Sequence, residues 1–201
     1  MPMQIAVAVS GRGSNLEALL QALGPDAPAR VALVLSDRRD AGALQRAVAR
    51  RVPTLVLEDP ADPLEWLRAL EHHRVDLVVL AGYLRLVPAG VTTRYRDRIL
   101  NIHPALLPAF GGRGMYGRRV HEAVLASGAR ESGATVHLVD EEYDRGAILA
   151  QARVPVLPGD DPERLAARVL EAEHRLLPAV VLAAAVAGRP VPLRQPVESH
   201  Q

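Results

Sequence analysis

The 201-residue sequence predicts an α/β protein: a doubly wound, mostly parallel sheet with helices on both faces and a Rossmann-like first half. Three observations carry that prediction. Short runs that are apolar at every position, such as Ile5-Ala6-Val7-Ala8-Val9, have the composition of strands covered on both sides. They alternate with stretches of helical periodicity, which makes parallel strands joined by right-handed crossovers the expected arrangement. The first run ends in Ser10-Gly11-Arg12-Gly13-Ser14-Asn15, a glycine turn leading into a helical pattern at Leu16, Leu19, Leu20 and Leu23.

The remaining elements follow in order. Val31 to Leu35 is the second strand, followed by a helix from Ala41 to Arg50. Thr54 to Leu57 precedes a helix from Pro63 to about His73, and Asp76 to Ala81 is the fourth buried strand. Ile99 to Ile102 is the fifth. Beyond it the alternation changes: a glycine-rich loop, Gly111 to Gly117, leads to a helix and then to two strands near Gly133 to Val139 and Ile148 to Val156. A long last helix is expected with Asp161 as N-cap and Pro162 at its first position, kinked or broken at Pro178. The expected organisation is a single domain over 1–188, with a phosphate-binding half over 1–100 and a catalytic half over 101–188. A tail over 189–201, rich in proline, is expected to be loose.

Composition narrows the chemistry. A chain of this length forms one domain and buries roughly 70% of its unfolded surface. The net charge of +1 provides no long-range field for a polyanion, so nucleic acid is not the expected partner and any anion must be held locally. All 24 basic residues are arginines, which removes Schiff-base and lysine-nucleophile mechanisms. With no cysteine there is neither a thiol nucleophile nor a Cys metal site. No apolar run reaches 18 residues and no secretory signal pattern opens the chain, so a cytoplasmic protein without a membrane span is expected.

Four patches fall where the strands of such a sheet end. Gly11 to Asn15 can bring backbone amides close to a single phosphate. It lacks the third glycine of a dinucleotide fingerprint, Leu16 standing there, and Asp37 is an ambiguous acidic partner. An unliganded glycine turn capped by Ser14 or Asn15 is the competing reading. Gly82 to Pro88 offers apolar side chains and backbone amides to a flat heterocycle, with Arg85 available for an acidic group or for stacking; taken alone it reads as a plain connection with Arg85 solvated. Asn101 and His103, two apart on a strand, share a face. An amide donor beside a titratable ring suits a carbonyl that gains negative charge while a proton moves, although Asn101 could instead bond a loop and His103 merely pack. Val139 to Gly146 is an acidic loop, one of whose carboxylates could reach His103 and favour the imidazolium.

Together these residues resemble the folate-dependent phosphoribosylglycinamide formyltransferases. The similarity runs from Ile5 to about Leu182. It is carried by Ser10 to Leu16, Val79 to Arg85, Asn101-Ile102-His103-Pro104, Leu106-Leu107-Pro108, Gly133-Ala134-Thr135-Val136-His137 and Ala172-Glu173-His174, all in family order. The resemblance implies a formyltransferase fold and transfer of a formyl group from 10-formyltetrahydrofolate to the amine of glycinamide ribonucleotide, in purine synthesis, without a metal. It implies that Asn101, His103 and Asp144 are catalytic. Gly13, Ser14 and Asn15 would hold the phosphate, and Glu173 the ribose hydroxyls. Leu84, Arg85, Leu86, Val87, Asn101, Val139, Asp140 and Asp144 would meet the folate. Asp144 would keep His103 protonated, and that ring and the Asn101 amide would stabilise the oxyanion formed when the amine attacks the formyl carbon.

Some positions depart from the family. Ala105 replaces a common serine, the glycine-rich loop before His121 is longer than in many relatives, and a basic residue expected near the folate tail is replaced around Pro63 and Leu64. Small-molecule substrates are the expected partners, with no nucleic acid and no membrane, and a homodimer is compatible with the sequence. The rival readings are a formyltetrahydrofolate hydrolase, a methionyl-tRNA formyltransferase and a non-catalytic nucleotide or folate sensor. The first two carry further domains, at the N-terminal and C-terminal side respectively, that are not expected here. A metal site could draw on His103, His121, His137 and Asp144, but no pair has close ligand spacing.

Overall fold

A computed structural model describes residues 1–193. Its strands are β1 (Met3–Val9), β2 (Ala29–Ser36), β3 (Thr54–Val56), β4 (Leu77–Leu80), β5 (Ile99–His103), β6 (Glu131–Leu138) and β7 (Ile148–Pro155). The helices are α1 (Ser14–Ala22), α2 (Gly42–Ala49), α3 (Pro63–His72), α4 (Ala89–Arg94), α5 (Arg118–Ala126) and α6 (Pro162–Ala187). One sheet takes the order β3-β2-β1-β4-β5-β6-β7, parallel from β3 to β5 and antiparallel through β6 and β7. The expected mostly parallel, doubly wound sheet is present.

Each apolar run serves two cores because successive side chains point to opposite faces. Ile5, Val7 and Val9 pack with Leu16, Leu19, Leu165, Val169 and Leu176 of α1 and α6. Ala6 and Ala8 face the other way, onto Leu33, Trp66, Leu70, Val91 and Tyr95. Asp62 and Asp161 cap their helices through their side chains, accepting from Leu64 N at 2.9 Å and Arg164 N at 2.8 Å.

Two elements differ from expectation. Pro178 does not break the last helix: α6 runs unbroken over 26 residues to Gly188, which closes it in a left-handed conformation. Proline inside a helix costs about 3 kcal/mol. Leu176, Leu177, Val180 and Val181 around it are fully buried, and each buried side chain of this size returns about 1.5–3 kcal/mol, so packing prevails. The short α4 follows Pro88 and has no counterpart in the expected elements. The start of the expected loose tail is attached, since Leu193 N donates to Leu149 O at 2.9 Å. The rest of that tail, 194–201, lies outside the described residues.

The sheet reverses its winding between β1 and β4, and there the two strand ends are tied together. Ser10 N donates to Gly82 O at 3.0 Å, and Leu84 N donates to Ser10 Oγ at 3.0 Å. Ligand crevices of open α/β sheets lie at such a switch point.

Candidate active site

A cavity of about 780 Å³ opens there, bounded by the ends of β1, β4 and β5, the first turn of α1 and the flank of α6. Its size is that of a small-molecule site. Of the residues expected to act, Asn15, Leu84, Arg85, Leu86, Val87, Asn101, His103, Val139, Asp144 and Glu173 line it. Gly13 and Ser14 open α1 beside it without lining it, and the side chain of Asp140 turns back to accept from Glu142 N at 2.9 Å.

Asn101 and His103 do share a face of β5, and the acidic loop delivers Asp144 between them. Asp144 Oδ2 lies 3.5 Å from His103 Nδ1, and Asp144 Oδ1 lies 3.5 Å from Asn101 Nδ2. Gly112 N donates to Asp144 Oδ2 at 2.9 Å, so the glycine-rich loop is fastened to the same carboxylate. His103 Nε2–H donates to Phe110 O at 2.8 Å. Both anchors of the imidazole, Phe110 and Asp144, hold left-handed backbone, each at φ 56. Such conformations cost on the order of 1–3 kcal/mol and persist where surrounding structure enforces them.

The charge of His103 differs from expectation. The ring is only 3% exposed, and burial drives its pKa below the ordinary 6.5; Asp144 and the Phe110 carbonyl pull the other way without overcoming it. In the free site His103 therefore favours the neutral form. Burial also raises the Asp144 carboxyl, but the His137 and His103 rings and the Gly112 N–H together outweigh it and leave its pKa below the ordinary range.

Further residues complete this cluster. His137 Nδ1–H donates to Leu138 O at 2.7 Å, which leaves Nε2 to accept from Asn101 Nδ2 at 3.0 Å and orients the amide. Thr135 Oγ1 donates to Ala105 O at 2.6 Å and accepts from Leu107 N at 3.0 Å, while Gln151 Nε2 donates to Leu107 O at 2.9 Å. Thr135 thus supplies a hydroxyl to the loop that Ala105 leaves without one. The signal lay in the Gly133-to-His137 motif, but its meaning required the antiparallel register that sets His137 opposite Asn101 and Thr135 opposite His103. His121 on α5 also lines the cavity, its pKa lowered by burial and then by His103.

On the α1 side, Asn15 Nδ2 donates to Glu173 Oε2 at 2.6 Å. Glu173 is 7% exposed, and burial pushes its pKa up to about 7 against the opposing pull of Asn15. On the far side Leu84, Leu86 and Tyr143 form an exposed apolar mouth. Arg85 is neither free nor solvated alone: its Nε donates to Asp37 Oδ2 at 2.9 Å. That contact gives the ambiguous Asp37 a partner within the chain. No group of three or more potential ligands that could hold a metal occurs among the described residues.

An amide, an imidazole and a carboxylate at the switch point of a Rossmann-like sheet, beside a helix N-terminus, define an α/β protein equipped for group transfer to or from a small molecule. The chain belongs to the formyl transferase family, whose model matches residues 3–181. It is 47% identical over 186 residues to the chloroplastic phosphoribosylglycinamide formyltransferase of Arabidopsis thaliana, covering 89% of this chain and 64% of that protein. It is 40% identical over 185 residues to phosphoribosylglycinamide formyltransferase of Haemophilus influenzae, covering 89% and 85%. The crystal structure of glycinamide ribonucleotide transformylase 1 from Symbiobacterium toebii superposes with a TM-score of 0.86 at 39% identity, covering 94% of each chain. The chain spans less than two thirds of the plant relatives it matches, 64% of the A. thaliana protein and 59% of that from Vigna unguiculata.

Proposed function

We propose that the protein transfers the formyl group of 10-formyltetrahydrofolate to the primary amine of glycinamide ribonucleotide, as a cytoplasmic enzyme of purine synthesis. The observation that carries this reading is the convergence of Asn101, His103 and Asp144 in one cavity with Asn15 and Glu173, the Gly13-Ser14 turn standing beside it. The apolar mouth of Leu84 and Leu86, with the backbone of Arg85 and Val87, fits the flat donor. Asn15 and Glu173 suit a ribose phosphate. The formyl donor supplies an activated carbonyl carbon, and the ribonucleotide supplies the nucleophile, so no protein nucleophile is required.

The residues divide the remaining work. Asn101 donates its amide to the developing oxyanion, held in orientation by His137. The new bond joins the substrate amine to the formyl carbon, and the bond broken joins that carbon to the folate nitrogen. One proton leaves the attacking nitrogen and one reaches the departing nitrogen. His103, neutral in the free site, takes the first and returns it as the second, and Asp144 stabilises the imidazolium between the two steps.

The test follows formyl loss by absorbance from a 10-formyl folate analogue, with and without glycinamide ribonucleotide, in the wild type and in Asp144→Asn. Ribonucleotide-dependent turnover that falls in the variant is the expected result. Deformylation indifferent to the ribonucleotide would replace this reading with a hydrolase, and absence of turnover would replace it with a sensor.

A further inference from the structure

The chain carries a net charge of only +1, yet five arginines, Arg12, Arg85, Arg113, Arg118 and Arg119, line the one cavity. Two are neutralised, Arg85 by Asp37 and Arg118 by Glu122 and Glu163. Among the described residues Arg12, Arg113 and Arg119 form no ion pair. Arg113 lies between two positive-φ glycines, Gly112 and Gly114, and Arg119 stacks on Tyr116 at 5.5 Å. Arg12 stands differently, on the β1–α1 side of the cavity.

Its backbone is held from three directions. Arg46 Nε donates to Arg12 O at 2.9 Å, and Ala43 N donates to Gly11 O at 3.1 Å. Gly13, at φ 78, abuts α2 so closely that a Cβ there would lie 2.5 Å from the Cβ of Ala43. The carboxylate nearest in sequence, Glu17, is occupied by Arg50 at 2.6 Å and by Arg46 at 3.7 Å, so it does not compensate Arg12. Gly13, the N-cap of the nine-residue α1, provides no side-chain cap to the first-turn amides. Asn15, 8% exposed and lining the same cavity, leaves its buried Oδ1 without a partner. A guanidinium with no ion pair therefore projects from an anchored backbone, beside open amides and a buried acceptor that awaits a hydroxyl donor.

We propose that Arg12 is a further binding residue of this site, which grips the phosphate monoester of the substrate and sets the preference for phosphorylated over unphosphorylated ribosides. The inference rests on the function proposed above and adds to it a residue outside the Gly13-Ser14-Asn15 turn. The planar guanidinium offers paired donors to phosphate oxygens, which an ammonium does not reproduce.

Two measurements on the full chain test it. In steady-state transfer, Arg12→Ala is expected to raise KM for glycinamide ribonucleotide about tenfold or more, with a much smaller change in KM for the formyl donor. The preference for the ribonucleotide over the riboside lacking phosphate should shrink by the same factor, and Arg12→Lys should recover only part of it. An unchanged preference in Arg12→Ala overturns the proposal. Calorimetric titration with ribose 5-phosphate, with ribose as control, needs no formyl transfer and so separates failure of this proposal from failure of the assigned reaction. Weaker ribose 5-phosphate binding in Arg12→Ala supports it; equal affinity in both proteins, or no binding by the wild type, overturns it.

Discussion

His103 is poised by opposed influences: burial drives its proton away while Asp144, 3.5 Å off, favours it. Because burial prevails, the acidic limb of kcat/KM is expected below pH 6.5, and Asp144→Asn, which removes the favouring charge, should move it lower still; a pH–rate profile of the two proteins checks this. A limb above 6.5 in the wild type would contradict the neutral resting state. Asn101→Ala removes the proposed oxyanion donor and should lower kcat by about 10²–10³-fold, measured at saturating substrates. Asn101 and His103 were legible because a spacing of two on a strand puts both on one face. Asp144 could not be separated from its acidic neighbours by spacing and was singled out through the family resemblance. The motif holding His137 and Thr135 was visible but their roles were not, because they come from β6, whose antiparallel register against β5 no local pattern announces. The Arg85–Asp37 pair likewise joins two strand ends 48 residues apart in sequence.

At the scale of elements, the turn between β1 and α1 carries the tightest constraint. Gly13 combines positive φ with a close approach to α2, so Gly13→Ala meets both backbone strain and a clash. It should destabilise the fold by about 1–3 kcal/mol, read as a lower denaturant midpoint, and should weaken ribonucleotide binding as the turn shifts. The glycine's importance was legible from its place between strand and helix, but its contact with Ala43 was not. The apolar strands were equally legible, since continuous burial leaves a continuous pattern. Pro178 misleads because a helix-breaking signal is local, whereas what overrides it is the burial of α6 against α1, β6 and β7. The six-residue α4 is too short for a periodicity to stand out.

For the molecule as a whole, stability is expected to fall on both sides of a maximum in pH. Glu173 has a folded pKa of about 7 against an ordinary 4.5, so the folded chain holds the proton more tightly. Its contribution is complete below pH 4.5 and is lost as pH rises through about 7, a change of up to about 3 kcal/mol. His103, His121 and His174 have pKa values lowered chiefly by burial; their contribution is complete above 6.5 and is lost as pH falls through their folded values. Glu173→Gln should abolish the loss between pH 4.5 and 7 while leaving the acid side in place, as thermal melts across that range would show. The bond from Asn15 to Glu173 bridges 158 residues, joining the first helix to the last. During synthesis on the ribosome, the amide and imidazole of β5 emerge well before the carboxylate that completes the cradle. A nascent chain therefore lacks the joint between Asn15 and Glu173 until α6 has docked, and the proposed ribonucleotide site is completed only by the last element to be made.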